Sequence, residues 1–175
     1  MEDPRYPIGR FHPDPEVTPQ KRAACMRDSA ELPGKLRLAV EGLTPAQIDT
    51  PYRDGGWTVR QVVHHLADSH LNSFCRFKLA LTEHQPTIKP YDQDAWAATA
   101  DSTNVDPQAS LSLLAGLHAR WAVLLMAMSP ADFARTFLHP ESGAQTLDNI
   151  LQIYAWHSRH HVAQIQGLRQ RKGWR

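Results

Sequence analysis

Ten of the 175 residues are histidine, and they are unevenly spread. One group is His157, His160 and His161; another is His64, His65 and His70. His157 and His161 are four apart, so on a helix both project from one face. They fall in the middle of an apolar stripe that includes Ile150, Tyr154, Ile165 and Leu168. A buried imidazole requires a hydrogen-bond partner or a metal. The i, i+4 pair is also the spacing with which His-x-x-x-His holds zinc. His160 lies toward the edge of the stripe, where a supporting or surface role is expected. A metal needs a third ligand, and the other group is the place to seek it. At about 100° per residue, His64 points away from the apolar stripe of its own helix. His65 lies at the stripe's edge, on a ridge with Thr58, Gln61, Ser69, Asn72 and Arg76. His70 lies near the middle. Periodicity therefore ranks His70 ahead of His65 as third ligand, with satisfied core histidines as the competing reading.

These residues must be positioned by helices. Residues 1–17 carry Pro4, Pro7, Pro13 and Pro15 and are expected to form an extended N-terminal arm. A first long helix is predicted from Thr18, with Pro19 just inside, to about Gly42; Pro33 should kink or split it. Thr44-Pro45 reads as a cap followed by proline and predicts a short helix over 46–49. After a loop, Thr58 caps a second long helix that ends near Glu83, with Val59, Val62, Val63, Leu66, Ser73, Phe77 and Ala80 facing inward. Asp106-Pro107 opens a third, whose apolar positions are Leu111, Leu114, Leu117, Trp121, Leu124, Leu125 and Met128. Ser129-Pro130 starts a second short helix over 131–133, and Thr146 caps the fourth long helix. No stretch alternates with period two, so no sheet is predicted beyond room for a short extended pair in the loops. Leu43-Thr44-Pro45-Ala46-Gln47-Ile48 parallels Met128-Ser129-Pro130-Ala131-Asp132-Phe133. Each stands between two long helices, which suggests two copies of one helix–short helix–helix unit. Two such units make an all-α four-helix bundle, here read as a single domain over 1–175 with short helices in its connections.

Several stretches carry a resemblance. They are Tyr6-Pro7-Ile8-Gly9, the run from Thr50 through Gly55-Gly56-Trp57 to His70, Pro90-Tyr91-Asp92, and the segment from Tyr154 to Gln164. Over nearly its whole length the chain resembles the DinB/YfiT-like family, and its YfiT branch closely. That resemblance implies a four-helix bundle with three histidines on a divalent metal, often as a homodimer. Members are described as metal-dependent hydrolases and as bacillithiol S-transferases. Carried over by position, the ligand on the second long helix is the histidine directly before leucine, His65. The other two fall on His157 and His161. The resemblance thus reverses the order that periodicity suggests for His65 and His70.

Three neutral imidazoles leave a metal with open positions, the catalytic type of site. Zinc is the default; nickel, manganese or iron would accept the same ligands. Such a metal brings the pKa of a bound water to about 7 and deprotonates a bound thiol. No His-Glu-x-x-His occurs, so no glutamate is built in as a general base, which favours transfer of a small-molecule thiol such as bacillithiol to an electrophile. Hydrolysis of a small substrate by metal-bound water is the alternative. A metal-binding bundle without chemistry is the reading of another class, and His70 is the residue that could close such a site. Asp68 is the candidate catalytic carboxylate, as base or as a partner orienting a ligand histidine. Arg53 and Arg76 are candidate substrate contacts, since arginine is the fork-shaped partner of carboxylates. Gly55-Gly56 is expected to serve the turn, and Trp57 to pack in the core. Unperturbed histidines titrate near 6.5, so metal affinity is expected to fall between about pH 7 and 5.

Composition excludes other classes. Lys plus Arg total 19 against 18 acidic residues, a net charge of +1. That balance argues against a nucleic-acid binder and gives no pull toward an anionic membrane. No apolar run is expected to reach a membrane span of about 18 residues. The acidic start, Met1-Glu2-Asp3-Pro4, lacks an apolar leader, so a cytoplasmic protein is expected. Cys25 and Cys75 form no Cys-x-x-Cys and are expected to be reduced and mostly buried.

Overall fold

In the computed structural model, which describes residues 3–174, the chain folds into four long helices with short elements between them. In order these are α1 (Pro19–Val40), α2 (Pro45–Ile48), α3 (Val59–Thr82), α4 (Gln93–Ala97), α5 (Ala100–Asn104), α6 (Pro107–Ala127), α7 (Pro130–Phe133), β1 (Thr136–His139), β2 (Gly143–Thr146) and α8 (Leu147–Lys172). The starts are chemically determined. Thr18, Thr44, Thr58, Asp106, Ser129 and Thr146 each accept a backbone N–H of the first turn. At Thr44, Thr58 and Ser129 the third helical residue returns a bond to the cap, closing a capping box. α8 ends at Gly173, whose φ of +65° suits a residue without Cβ, after Arg169, Arg171 and Lys172 in its last turn.

α1 and α3 pack against both α6 and α8, so each half of the chain supplies helices to both halves of the bundle. The helix–short helix–helix repeat is visible in the elements: α1–α2–α3 parallels α6–α7–α8. Even the connections correspond. A lone bridge pairs Pro51 with the cap Thr58, and the β1–β2 hairpin ends on the pair of Thr136 with the cap Thr146.

Several expectations are corrected. α1 runs unbroken across Pro33. A mid-helix proline costs about 3 kcal/mol. Leu32, Leu36 and Ala39, all buried beside it, offset this at roughly 1.5–3 kcal/mol for each leucine. The loops hold a true two-stranded hairpin, too short to show alternation. α4 and α5 are also too short for periodicity; α4 is started by the Asp92 side chain, which accepts from two N–H groups. Cys75 is exposed, unlike the buried thiol expected. α6 is long and apolar enough by composition to cross a membrane, contrary to the reading of the runs. In this fold it buries Leu111, Leu114, Leu117, Trp121 and Leu125 against α1 and α3. The N-terminal arm, of which residues 1 and 2 lie outside the described residues, lies along α8. Asp14 N–H donates to Gln152 at 3.0 Å, and Phe11 leans on Trp156.

The interior has two apolar clusters. One gathers Leu32, Leu36, Val62, Leu66, Leu114, Val162 and Ile165; the other gathers Phe74, Phe77, Trp121, Leu151 and Tyr154. Polar side chains that contact one another in series stand on all four long helices: Ser29 on α1, His65 and His70 on α3, His118 on α6, and His157 and His161 on α8.

Candidate metal centre

The long capped helices α3 and α8 bring one ring from the first histidine group to two from the second. Nε2 of His157 stands 3.1 Å from Nε2 of His65 and 3.1 Å from Nε2 of His161. Each of the three residues offers a ring nitrogen, and the three nitrogens lie within 4.8 Å of one another. Two nitrogens about 2.0–2.1 Å from one zinc stand about 3.3–3.4 Å apart at a tetrahedral angle and about 2.9 Å at a right angle. Both spacings from His157 fall between these values, so its Nε2 can share one divalent ion with each of the other two rings.

Protonation states fit as well. Burial holds His65 down at about 4, and it pushes His157 and His161 well below the ordinary range, with neighbouring rings adding to the effect. All three are neutral at pH 7, the form that can ligate. For His161 the tautomer follows from its neighbours. The Gln164 amide must direct its NH2 at the Arg5 carbonyl, 3.3 Å away, so its Oε1 faces His161 Nδ1 at 2.8 Å. Nδ1 of His161 is therefore the donor, and Nε2 keeps a bare lone pair aimed at the trio. The same NH2 donates to Nε2 of His160 at 3.0 Å. His160 stacks on Trp156, with centroids 4.4 Å apart, and supports the ligands through Gln164.

A cavity of about 590 Å³ opens over His157, His160 and His161. Arg5, Tyr6, Tyr52, Arg53, Trp57 and Trp156 stand around it. Trp57 is partly buried and serves as wall as well as packing, its ring centroid 4.6 Å from that of His65. The turn before it needs both glycines: Gly55 has φ +64°, and a Cβ on Gly56 would stand 2.7 Å from Cγ of Arg53.

A family model described as the DinB superfamily matches residues 30–165. The chain belongs to the DinB superfamily. Among its relatives is the "Putative metal-dependent hydrolase YfiT" of Bacillus subtilis, 51% identical over 97% of this chain and 96% of its own. A Bacillus mycoides protein with the same description is 49% identical over 99% of this chain and 100% of its own. The solved structure of YfiT, reported as a four-helix bundle of unusual topology, superposes with a TM-score of 0.95, at 50% identity over 98% of this chain and 99% of that one. A second solved four-helix bundle protein, at 20% identity and TM-score 0.58, covers 83% of this chain and 98% of its own and shares the fold.

Within this DinB fold the sequence-derived candidates are distributed unequally. His65, His157 and His161 meet. His70 does not join them: it is fully buried behind His157, with its Nε2 3.3 Å from His157 Nδ1. It is thus on the far side of a ligand ring from the cavity and cannot close the site. His64 points neither to solvent nor to the trio; it is buried against Ser110 and the Val105 carbonyl, at 2.7 and 3.0 Å. Arg53 lines the cavity, its guanidinium donating to Tyr52 Oη and the Asp54 carbonyl. Among the described residues the cavity lining includes neither Asp68 nor Arg76. Asp68 is half-buried, and burial, followed by the nearby Asp101 charge, raises its carboxyl above the usual range. Sequence reasoning overlooked Gln164, Arg5 and His118. His118 had a signal: it shares the spacing of Leu114, Trp121 and Leu125 on the inward face of α6.

The wheel and the geometry differ over one substitution pair. With saturating zinc, His65→Ala is expected to lose stoichiometric metal in elemental analysis, and His70→Ala to keep it. The reverse pattern would overturn the trio.

Proposed function

We propose that the chain is a divalent-metal-dependent enzyme, with zinc the default ion, held by His65, His157 and His161. The observation that carries this reading is the convergence of three neutral ring nitrogens beneath an open cavity, with no fourth His, Cys, Asp or Glu in the group among the described residues. A site with three protein ligands and an open face is of the catalytic type. When bound, the metal supplies Lewis acidity that holds a thiol or a water in its nucleophilic form at neutral pH.

The chain's own residues favour thiol transfer. Asp94 stands among the cavity-lining residues, but it is exposed and is not in the histidine group. Among the described residues no carboxylate is therefore built in against the metal as a general base, which a thiolate does not need. Arg53 offers a guanidinium to the carboxylates of a thiol such as bacillithiol. Tyr6, Trp57 and Trp156 provide flat apolar walls for the electrophile and exclude water from it. Hydrolysis is the second reading, favoured by the descriptions given to the relatives.

The zinc-loaded chain is tested with bacillithiol and a chlorinated aromatic electrophile, reading loss of thiol and release of chloride. Thiol-dependent turnover that Arg53→Ala weakens chiefly through KM is expected. Turnover of ester or amide substrates without any thiol, and none with it, would leave hydrolysis in its place. A chelator at pH 7.5 is expected to stop turnover and lower the melting temperature while helical circular dichroism persists, because both apolar clusters remain packed. Complete unfolding on chelation would make the metal structural and overturn the enzymatic reading.

A further inference from the structure

One series of contacts leads away from the ligand His157 and ties all four long helices together. Nδ1 of His157 (α8) is 3.3 Å from Nε2 of His70 (α3). Nδ1 of His70 is 3.0 Å from Nε2 of His118 (α6), and Nδ1 of His118 is 3.4 Å from Oγ of Ser29 (α1). His70 is 0% exposed and His118 2%, so neither ring has water as a substitute partner.

A neutral imidazole has one N–H and one lone pair. Both nitrogens of His70 and of His118 are engaged, so the proton position on any one ring dictates the others. Only two arrangements satisfy every contact. In the first, His157 Nδ1–H donates to His70, His70 Nδ1–H donates to His118, and His118 Nδ1–H donates to Ser29. That leaves His157 Nε2 bare and able to ligate. In the second, Ser29 donates to His118, each ring donates the other way, and His157 carries its proton on Nε2, where it donates to a ring of the trio. The Ser29 hydroxyl can end the series in either direction. His161 differs, because Gln164 and the Arg5 carbonyl hold it permanently in its ligating form.

We propose that the series Ser29–His118–His70 is a positioning device that holds His157 in its ligating tautomer, and that it reverses direction when the metal leaves. This rests on the metal reading above. Ligand histidines commonly donate their other N–H to a fixed acceptor, and removing such an acceptor weakens metal affinity about 10–100-fold. Here that acceptor is itself a histidine, and its own orientation depends on a residue two contacts away on another helix.

The experiment measures zinc affinity by competition with a chromophoric chelator at pH 7.5. In His118→Leu the zinc Kd is expected to rise about 10–100-fold. In His118→Gln, whose Oε1 can accept from His70 Nδ1–H, most of the affinity is expected to return. Leu125→Ala, a cavity in the same helix, is expected to lower the melting temperature and leave the Kd within about twofold. Long-range ¹⁵N NMR of the wild type provides a second readout that needs no variant. The proton of His118 is expected on Nδ1 in the zinc form and on Nε2 in the zinc-free form. A wild type that binds zinc, with an unchanged Kd in His118→Leu, overturns the device alone. The same His118 tautomer in both forms overturns the reversal. A wild type that binds no zinc overturns the metal reading and the device together.

Discussion

His157→Ala is expected to leave the protein without bound metal after dialysis, whereas His160→Ala retains about one ion per chain. His157 is central: its Nε2 is the one that stands 3.1 Å from both of the other ligand nitrogens. Apparent binding energies of roughly 10–16 kcal/mol for four-ligand structural zinc sites imply about 2.5–4 kcal/mol for each ligand. Loss of one ligand should therefore weaken binding about 10²–10³-fold. His160 differs because it touches the trio only through Gln164, and that amide keeps its bond to the Arg5 carbonyl when the imidazole is gone. Elemental analysis and chelator competition on both variants measure the contrast. Stoichiometric, tightly held metal in His157→Ala would remove α8 from the site.

Acid is expected to release the metal and unfold the bundle together. Burial holds His65, His118 and His160 down at about 4 and pushes His70, His157 and His161 well below the ordinary range. In the unfolded chain each returns to about 6.5. Below that pH the unfolded state binds more protons than the native state, so stability falls as pH falls. Above about 6.5 these rings are neutral in both states and contribute no slope. The window therefore runs from about pH 6.5 down to about 4, and it is steep because several rings act together. Protons reach the folded ligands only near its lower end. The loss between about pH 7 and 5 expected of unperturbed histidines thus moves down and joins the unfolding transition. Far-UV circular dichroism and a zinc-sensitive dye, followed in one titration, should give coincident midpoints below about pH 5. Metal released near pH 6 from an intact bundle would show that the ligands titrate as solvent-exposed groups.

Local chemistry made most of the architecture legible. Thr18, Thr44, Thr58, Asp106, Ser129 and Thr146 each announced a helix start, and each caps one, because capping needs only a short oxygen-bearing side chain within three residues of its N–H partners. The doubled unit and the bundle follow from those caps and the apolar spacing. α4, α5 and the hairpin stayed hidden: each is shorter than the repeat that would reveal it, and none opens on the Thr-Pro or Ser-Pro pair that marks α2 and α7. Pro33 does not split α1, because helix-breaking is a local cost that burial of Leu32 and Leu36 outweighs.

For the site, sequence alone determined that His157 and His161 share a face and lie among apolar residues, since a spacing of four is a property of one helix. Periodicity ranks His70 ahead of His65, and only the family resemblance chooses His65. A helical wheel ranks residues by distance from the middle of the apolar stripe, but a ligand must face the gap between two helices, which is at the stripe's edge. Only the packing of α3 against α8 placed His65 in that gap and His70 behind His157. The same holds for the Gln164–Arg5 contact and the series through His118 to Ser29, which join residues 159, 48 and 89 positions apart. Those bonds depend on how helices and arm come together in three dimensions, and no periodicity along one helix encodes the partner on another.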